Sequence, residues 1–130
     1  FSKFHFLLHN SETIGEQMDF LGILQVIAAL ATVATGLLGL IKPSATYGFI
    51  GLTAQGPRGV SEIRSIFGGF FIGLGAAPLF LGETAYLMLG IGYLAIAAAR
   101  AFSVVLDQST AQSNLISLGI EIVLGIILVL

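Results

Sequence analysis

A chain of 130 residues that is 56% hydrophobic and only 9% charged is too short for more than one domain and too apolar to hide its surface in a water-soluble fold. Its net charge of −2 leaves no basic footprint for nucleic acid. The absence of cysteine excludes disulfides, thiolate metal sites and iron–sulfur ligation.

Residues 1–19 form an arm in which Phe1, Phe4, Phe6, Leu7 and Leu8 alternate with His5 and His9, the composition of a short interfacial helix or an extended anchor. The two histidines stand four apart and could each ligate a metal or the magnesium of a chlorophyll. No third ligand follows at a useful spacing, so interfacial histidines are the simpler reading.

Three apolar runs then meet the length needed to cross about 30 Å of hydrocarbon, and a fourth, a little short at roughly 17 residues, spans if its tilt is small or the bilayer thins. The first, Phe20–Ile41, is too long for a secretory signal, lacks a basic flank, and is followed by Lys42-Pro43 instead of a small-residue cleavage site. The loop "KPSATYGFIGLTAQGPRG" breaks helix repeatedly at its glycines and prolines and reads as an irregular, partly apolar surface segment. The second span covers 61–81 and turns tightly at "LGE" into the third, 84–106, so these two form an antiparallel hairpin. The polar linker "DQSTAQSN" offers Ser113 and Asn114 as helix N-caps before the fourth span, 114–130. The fold expected is all-α: a four-helix membrane bundle carrying a short arm. Lys42, Arg58, Arg64 and Arg100 lie around the first and third loops, against a lone Lys3 before the first span. That bias places both termini away from the cytoplasm.

The spans carry charges, and helix geometry says where they point. At about 100° per residue, Glu62 shares a face with Ile66, Gly69, Gly73 and Ala77, so it lies beside a G-x-x-x-G step that admits close helix packing. Arg64 points along Gly68, Phe71 and Gly75. Arg100 aligns with Tyr93, Ser103 and Asp107, and Glu121 with Asn114, Ser117 and Gly125; a milder stripe on the first span joins Gln25, Thr32, Gly36 and Gly39. Arg100 and Glu121 each lie about 10 Å inside their span's edge, and Glu62 and Arg64 within about 6 Å. An isolated charge at the membrane centre costs at least about 2.5 kcal/mol, so these groups should face one another or a wet cavity. The economical arrangement pairs Arg100 with both Glu121 and Glu62, while Arg64 bonds a loop carbonyl or snorkels to the headgroups. Two readings of the set stay open: an ion network that fixes helix register, or a polar cavity that binds a headgroup or relays protons. Gly68, Gly69, Gly73 and Gly125 are expected to serve helix packing.

The stretches "SEIRSIFGGFFIGLG", "YLAIAAARAFSVVLD" and "NLISLGIEIVLGIIL" resemble a bacterial family of small four-span membrane proteins known as a domain of unknown function, distantly similar to the DoxX-like proteins. Its pattern of E-x-R before a glycine pair, Arg-Phe late in span three and glutamate within span four falls here on Glu62, Arg64, Gly68, Gly69, Arg100, Phe102 and Glu121. The resemblance covers roughly 20–130 and implies the four-helix bundle, with the acid and arginine set in the family's common core and, through the DoxX-like proteins, respiratory or redox membrane partners. It implies no reaction. The setting expected is a photosynthetic or respiratory complex in a bacterial inner or thylakoid-type membrane.

No nucleotide-binding, Ser-His-Asp or zinc-protease pattern occurs, so an enzyme is not expected. The leading expectation is a non-enzymatic accessory subunit that docks on other membrane protein subunits. The alternative is a small-molecule-binding or proton-handling protein built on Glu62, Arg100 and Glu121. No cofactor is required by the residues, though lipid, quinone or chlorophyll would suit such surroundings.

Overall fold

The structure, a computed structural model, describes residues 19–130; the arm, with His5 and His9, lies outside the described residues. Helix α1 spans Phe20–Ile41, opened by the Asp19 carboxylate accepting from the Gly22 N–H at 2.9 Å, which satisfies one of the orphan donors of the first turn. It ends before Pro43, and a 3₁₀ turn, Pro43–Thr46, leads into the short α2, Tyr47–Ile50. Gly51 then adopts φ 71°, a left-handed conformation that glycine accepts without strain.

Helix α3 runs unbroken over Gly56–Leu81, admitted by Pro57 in its first turn, where a missing N–H costs nothing. Its residues Ile63–Phe70 are π-helical. Gly82, at φ 79°, makes the tight turn into α4, Glu83–Leu106, and α5 follows at Gln112–Val129. No strand occurs among the described residues.

Four of these helices, α1, α3, α4 and α5, are long and apolar enough to cross a membrane. Each is clothed outward in large apolar side chains such as Phe80 and Val105, about four-fifths exposed. An apolar surface this extensive suits hydrocarbon and not water.

The helices pair as two hairpins, α1 with α3 and α4 with α5, joined through the α3–α4 turn and a lighter α1–α5 contact. Glycine makes the first hairpin possible. A Cβ on Gly36 would stand 2.7 Å from the Gly68 carbonyl oxygen, one on Gly39 2.6 Å from that of Phe67, and one on Gly75 2.7 Å from that of Ala29. Backbone meets backbone at all three, the close approach on which helix association in lipid depends. The two hairpins share a core of Ala28, Ala29, Leu89 and Leu128, flanked by Leu74, Tyr86, Tyr93 and Leu124.

The four spans match the sequence expectation closely, with two differences. The loop after α1 is shorter and partly helical, because Pro43 and Pro57 each sit where a helix begins and not where one is interrupted. Helix α5 starts earlier, capped at Ala111 without a side-chain bond; Ser113 and Asn114 lie within its first turn, and Asn114 has a different role.

Candidate functional site

The polar groups of the bundle collect on the facing sides of α4 and α5. Arg100, on the fifth turn of α4, donates from Nε to Glu121 Oε2 at 2.8 Å and from Nη2 to Glu121 Oε1 at 2.6 Å. This two-point contact matches the guanidinium fork to the carboxylate. Nη1 donates to Asn114 Oδ1 at 2.7 Å, and the Asn114 amide passes the chain on to the Ser109 carbonyl at 2.8 Å and hydroxyl at 3.2 Å. Asn114 thus works as a bridge between the buried pair and the α4–α5 loop. Ser103 donates to Asp107 Oδ2 at 2.7 Å at the same loop.

Glu121 is buried to 9% exposure, and Ser117, one turn before it, to 6%. The Ser117 hydroxyl donates back to the Ser113 carbonyl at 3.0 Å. Two turns from Arg100 toward the bundle centre, Tyr93 shares a 2.5 Å hydrogen bond with Thr32 of α1, whose hydroxyl also lies 2.8 Å from the Ala28 carbonyl. Gln25 of α1 donates to the Ile127 carbonyl of α5 at 3.0 Å. These two bonds tie the hairpins together beside the apolar core they share. Among the described residues, no buried side-chain nitrogen or oxygen lacks a partner.

Glu62 is not part of this cluster. It pairs with Arg58, one turn earlier on the same helix, and both are exposed. Arg64 donates to the Leu40 carbonyl in the last turn of α1, where the unpaired carbonyls at the helix end favour a cation. The expectation that Arg100 bridges two acids is therefore met by Glu121 alone.

The packing glycines divide in the same way. Gly68 faces α1, with a hypothetical Cβ 2.9 Å from the Leu40 nitrogen, and Gly125 faces Leu94 of α4. Gly73 has open space where its side chain would be, and a Cβ on Gly69 would meet only the Arg64 carbonyl of its own helix at 3.9 Å. The stripe through Arg64, Gly68 and Gly75 meets α1, and the one through Glu62, Gly69 and Gly73 points away. Ile63 and Gly68, both buried and five residues apart, follow the i→i+5 repeat of the π stretch.

Neither of the two recesses found opens on the ion pair. A cleft of about 450 Å³ lies at the opposite end of the bundle, bounded by Asp19, Gln25, Glu83, Tyr86 and Leu128. An apolar groove of about 370 Å³ runs along α5 over Gly119 and Ile120. The described residues contain no group of three or more metal-ligating side chains.

No curated protein and no solved structure matches the chain. One family does, over residues 20–130, the whole of the bundle and none of the arm. The chain belongs to that family, described as Domain of unknown function (DUF4345).

Proposed function

We propose that the protein is a non-enzymatic accessory subunit of a larger membrane assembly. One observation carries the reading: the ionisable groups within the bundle are spent on one another. Arg100, Glu121 and Asn114 satisfy each other at 2.6–2.8 Å, and neither recess reaches them. A network in which the one buried acid among the described residues is held by the half-buried Arg100 sets helix register and leaves no buried carboxylate free for chemistry. Outward, Gly73, Gly92 and Gly119 have open space where side chains would stand, which lets the helices of a partner approach closely.

The assembly we have in mind is respiratory or photosynthetic, in a bacterial inner or thylakoid-type membrane, with both termini away from the cytoplasm. Gentle extraction from the native membrane, native gel separation and mass spectrometry of the band carrying this chain test it. Migration with a large complex at fixed stoichiometry supports the subunit reading; a well-behaved free monomer or homodimer overturns it.

A second reading, small-molecule binding or proton handling, draws on Glu121, a carboxylate buried in the interior of the bundle. Under it, Glu121→Gln abolishes a binding or flux signal while the folded protein persists. Under the subunit reading the same change only loosens the bundle.

A further inference from the structure

Arg100 has more donors than its protein partners use. A guanidinium carries five N–H groups, and Nε, one on Nη1 and one on Nη2 are taken by Glu121 and Asn114. One N–H on each terminal nitrogen has no partner among the described residues. The side chain is 29% exposed, so part of it reaches the surface of the bundle. Arg100 is seven residues from the end of its helix at Asp107, about 10 Å along the axis, and its side chain reaches toward Asn114 in the first turn of α5. The guanidinium therefore stands near the level where hydrocarbon gives way to headgroups, and an unmet N–H at that depth is costly.

The surroundings select the acceptor. The basic residues described, Lys42, Arg58, Arg64 and Arg100, all lie at this end of the bundle, with Glu62, Asp107 and Glu121; four cations against three anions leave a net +1. The opposite end holds Asp19 and Glu83, a net −2. Asp107, the carboxylate nearest to Arg100 in sequence, accepts the Ser103 hydroxyl, and the Glu121 carboxylate is neutralised by Arg100 itself.

We propose that the two remaining N–H groups of Arg100 bind a phosphate oxyanion, supplied by the headgroup of a phospholipid in the leaflet at this end. Arginine recognises phosphate through parallel N–H groups, and the lipid's acyl chains would lie along the exposed apolar flank of α4. The site is distinct from docking onto a larger assembly and is tested on the isolated chain.

The experiment takes the full chain, stripped of lipid in a maltoside detergent and phosphate-free buffer. It measures by native mass spectrometry how well the chain retains phosphatidylglycerol against a galactosyl diacylglycerol with the same acyl chains. The expected result is about tenfold greater retention of the phospholipid, a modest free-energy difference for a charge-assisted contact. Arg100→Lys keeps a cation for Glu121 but has too few donors for the phosphate as well, and should bring phospholipid retention down to the glycolipid level. Lys42→Gln, which removes a cation from the same end, should leave the preference intact and controls for the loss of positive charge, while an unchanged helical circular-dichroism spectrum and thermal midpoint of Arg100→Lys separate a lost contact from a lost fold. Equal retention of both lipids by the unmodified chain overturns the proposal, as does a preference that survives Arg100→Lys but vanishes with Lys42→Gln. Displacement of the lipid by millimolar inorganic phosphate would support the oxyanion at Arg100 and reassign its source to a soluble phosphate.

Discussion

Arg100 grips Glu121 at two points, 2.8 and 2.6 Å, across a gap of 21 positions in sequence. The contact joins the two helices of the second hairpin and neutralises the buried Glu121 carboxylate. Removing one partner leaves the other uncompensated, and breaking a buried pair in this way costs about 3–5 kcal/mol. Arg100→Met should therefore lower the unfolding midpoint sharply in detergent. The double change Arg100→Met with Glu121→Leu should recover much of the loss, because an apolar pair of similar volume has no desolvation penalty. A double variant no more stable than the single one would show that the ion pair itself holds the hairpin.

The glycines of the first hairpin are not interchangeable with those facing outward. Gly36→Ala drives a methyl to 2.7 Å from the Gly68 carbonyl, a backbone atom that cannot step aside, and overpacking of this kind costs about 1–3 kcal/mol. Gly73→Ala meets nothing within 4 Å and should be neutral or stabilising by up to about 1 kcal/mol through helix propensity. Paired denaturation curves of the two variants check the contrast.

The absence of cysteine makes the register of α3 directly measurable. A Cβ on Gly68 would lie 3.1 Å from that of Leu40, tighter than the roughly 3.5–4.5 Å of a relaxed disulfide, so the two backbones must ease apart by a few tenths of an ångström for the bond to close. Leu40→Cys with Gly68→Cys should cross-link under mild oxidation, and Leu40→Cys with Gly69→Cys should not. The reverse outcome would place the Glu62 stripe against α1.

The Thr32–Tyr93 bond is a polar link between the hairpins near mid-bundle. Tyr93→Phe and Thr32→Val should each destabilise modestly. A double-mutant cycle should return a coupling of about 0.6 kcal/mol, the usual scale for hydrogen bonds between membrane helices. A coupling of zero would mean that the two hydroxyls are satisfied as well apart as together.

Hydropathy and turn chemistry made the four spans legible in the sequence, since length and composition determine what can cross a bilayer. Face geometry also brought out Arg100 with Glu121, because a straight α-helix lies between each of them and its span edge. The same geometry misassigned the start of α3. Its two stripes stay together, but the one through Arg64, Gly68 and Gly75 meets α1 while the one through Glu62, Gly69 and Gly73 faces away, and side-chain pattern does not say which of two small-residue stripes finds the neighbour. Asn114 was hidden for another reason: a residue suited to capping a helix is equally suited to bridging an arginine, and only the position of Arg100 decides between them. Gln25 was placed on a polar stripe, but its acceptor, the Ile127 carbonyl, is backbone and has no signature in side-chain pattern.

The separation of Arg100 from Glu121 also bears on biosynthesis. At about 5–20 residues per second, the 21 positions between them take roughly 1–4 s to translate. Throughout that interval α4 carries an arginine whose counterion does not yet exist. The helix must wait in a hydrated passage or hold its arginine at the surface until α5 arrives, and insertion of the second hairpin as a pair would spare it that interval.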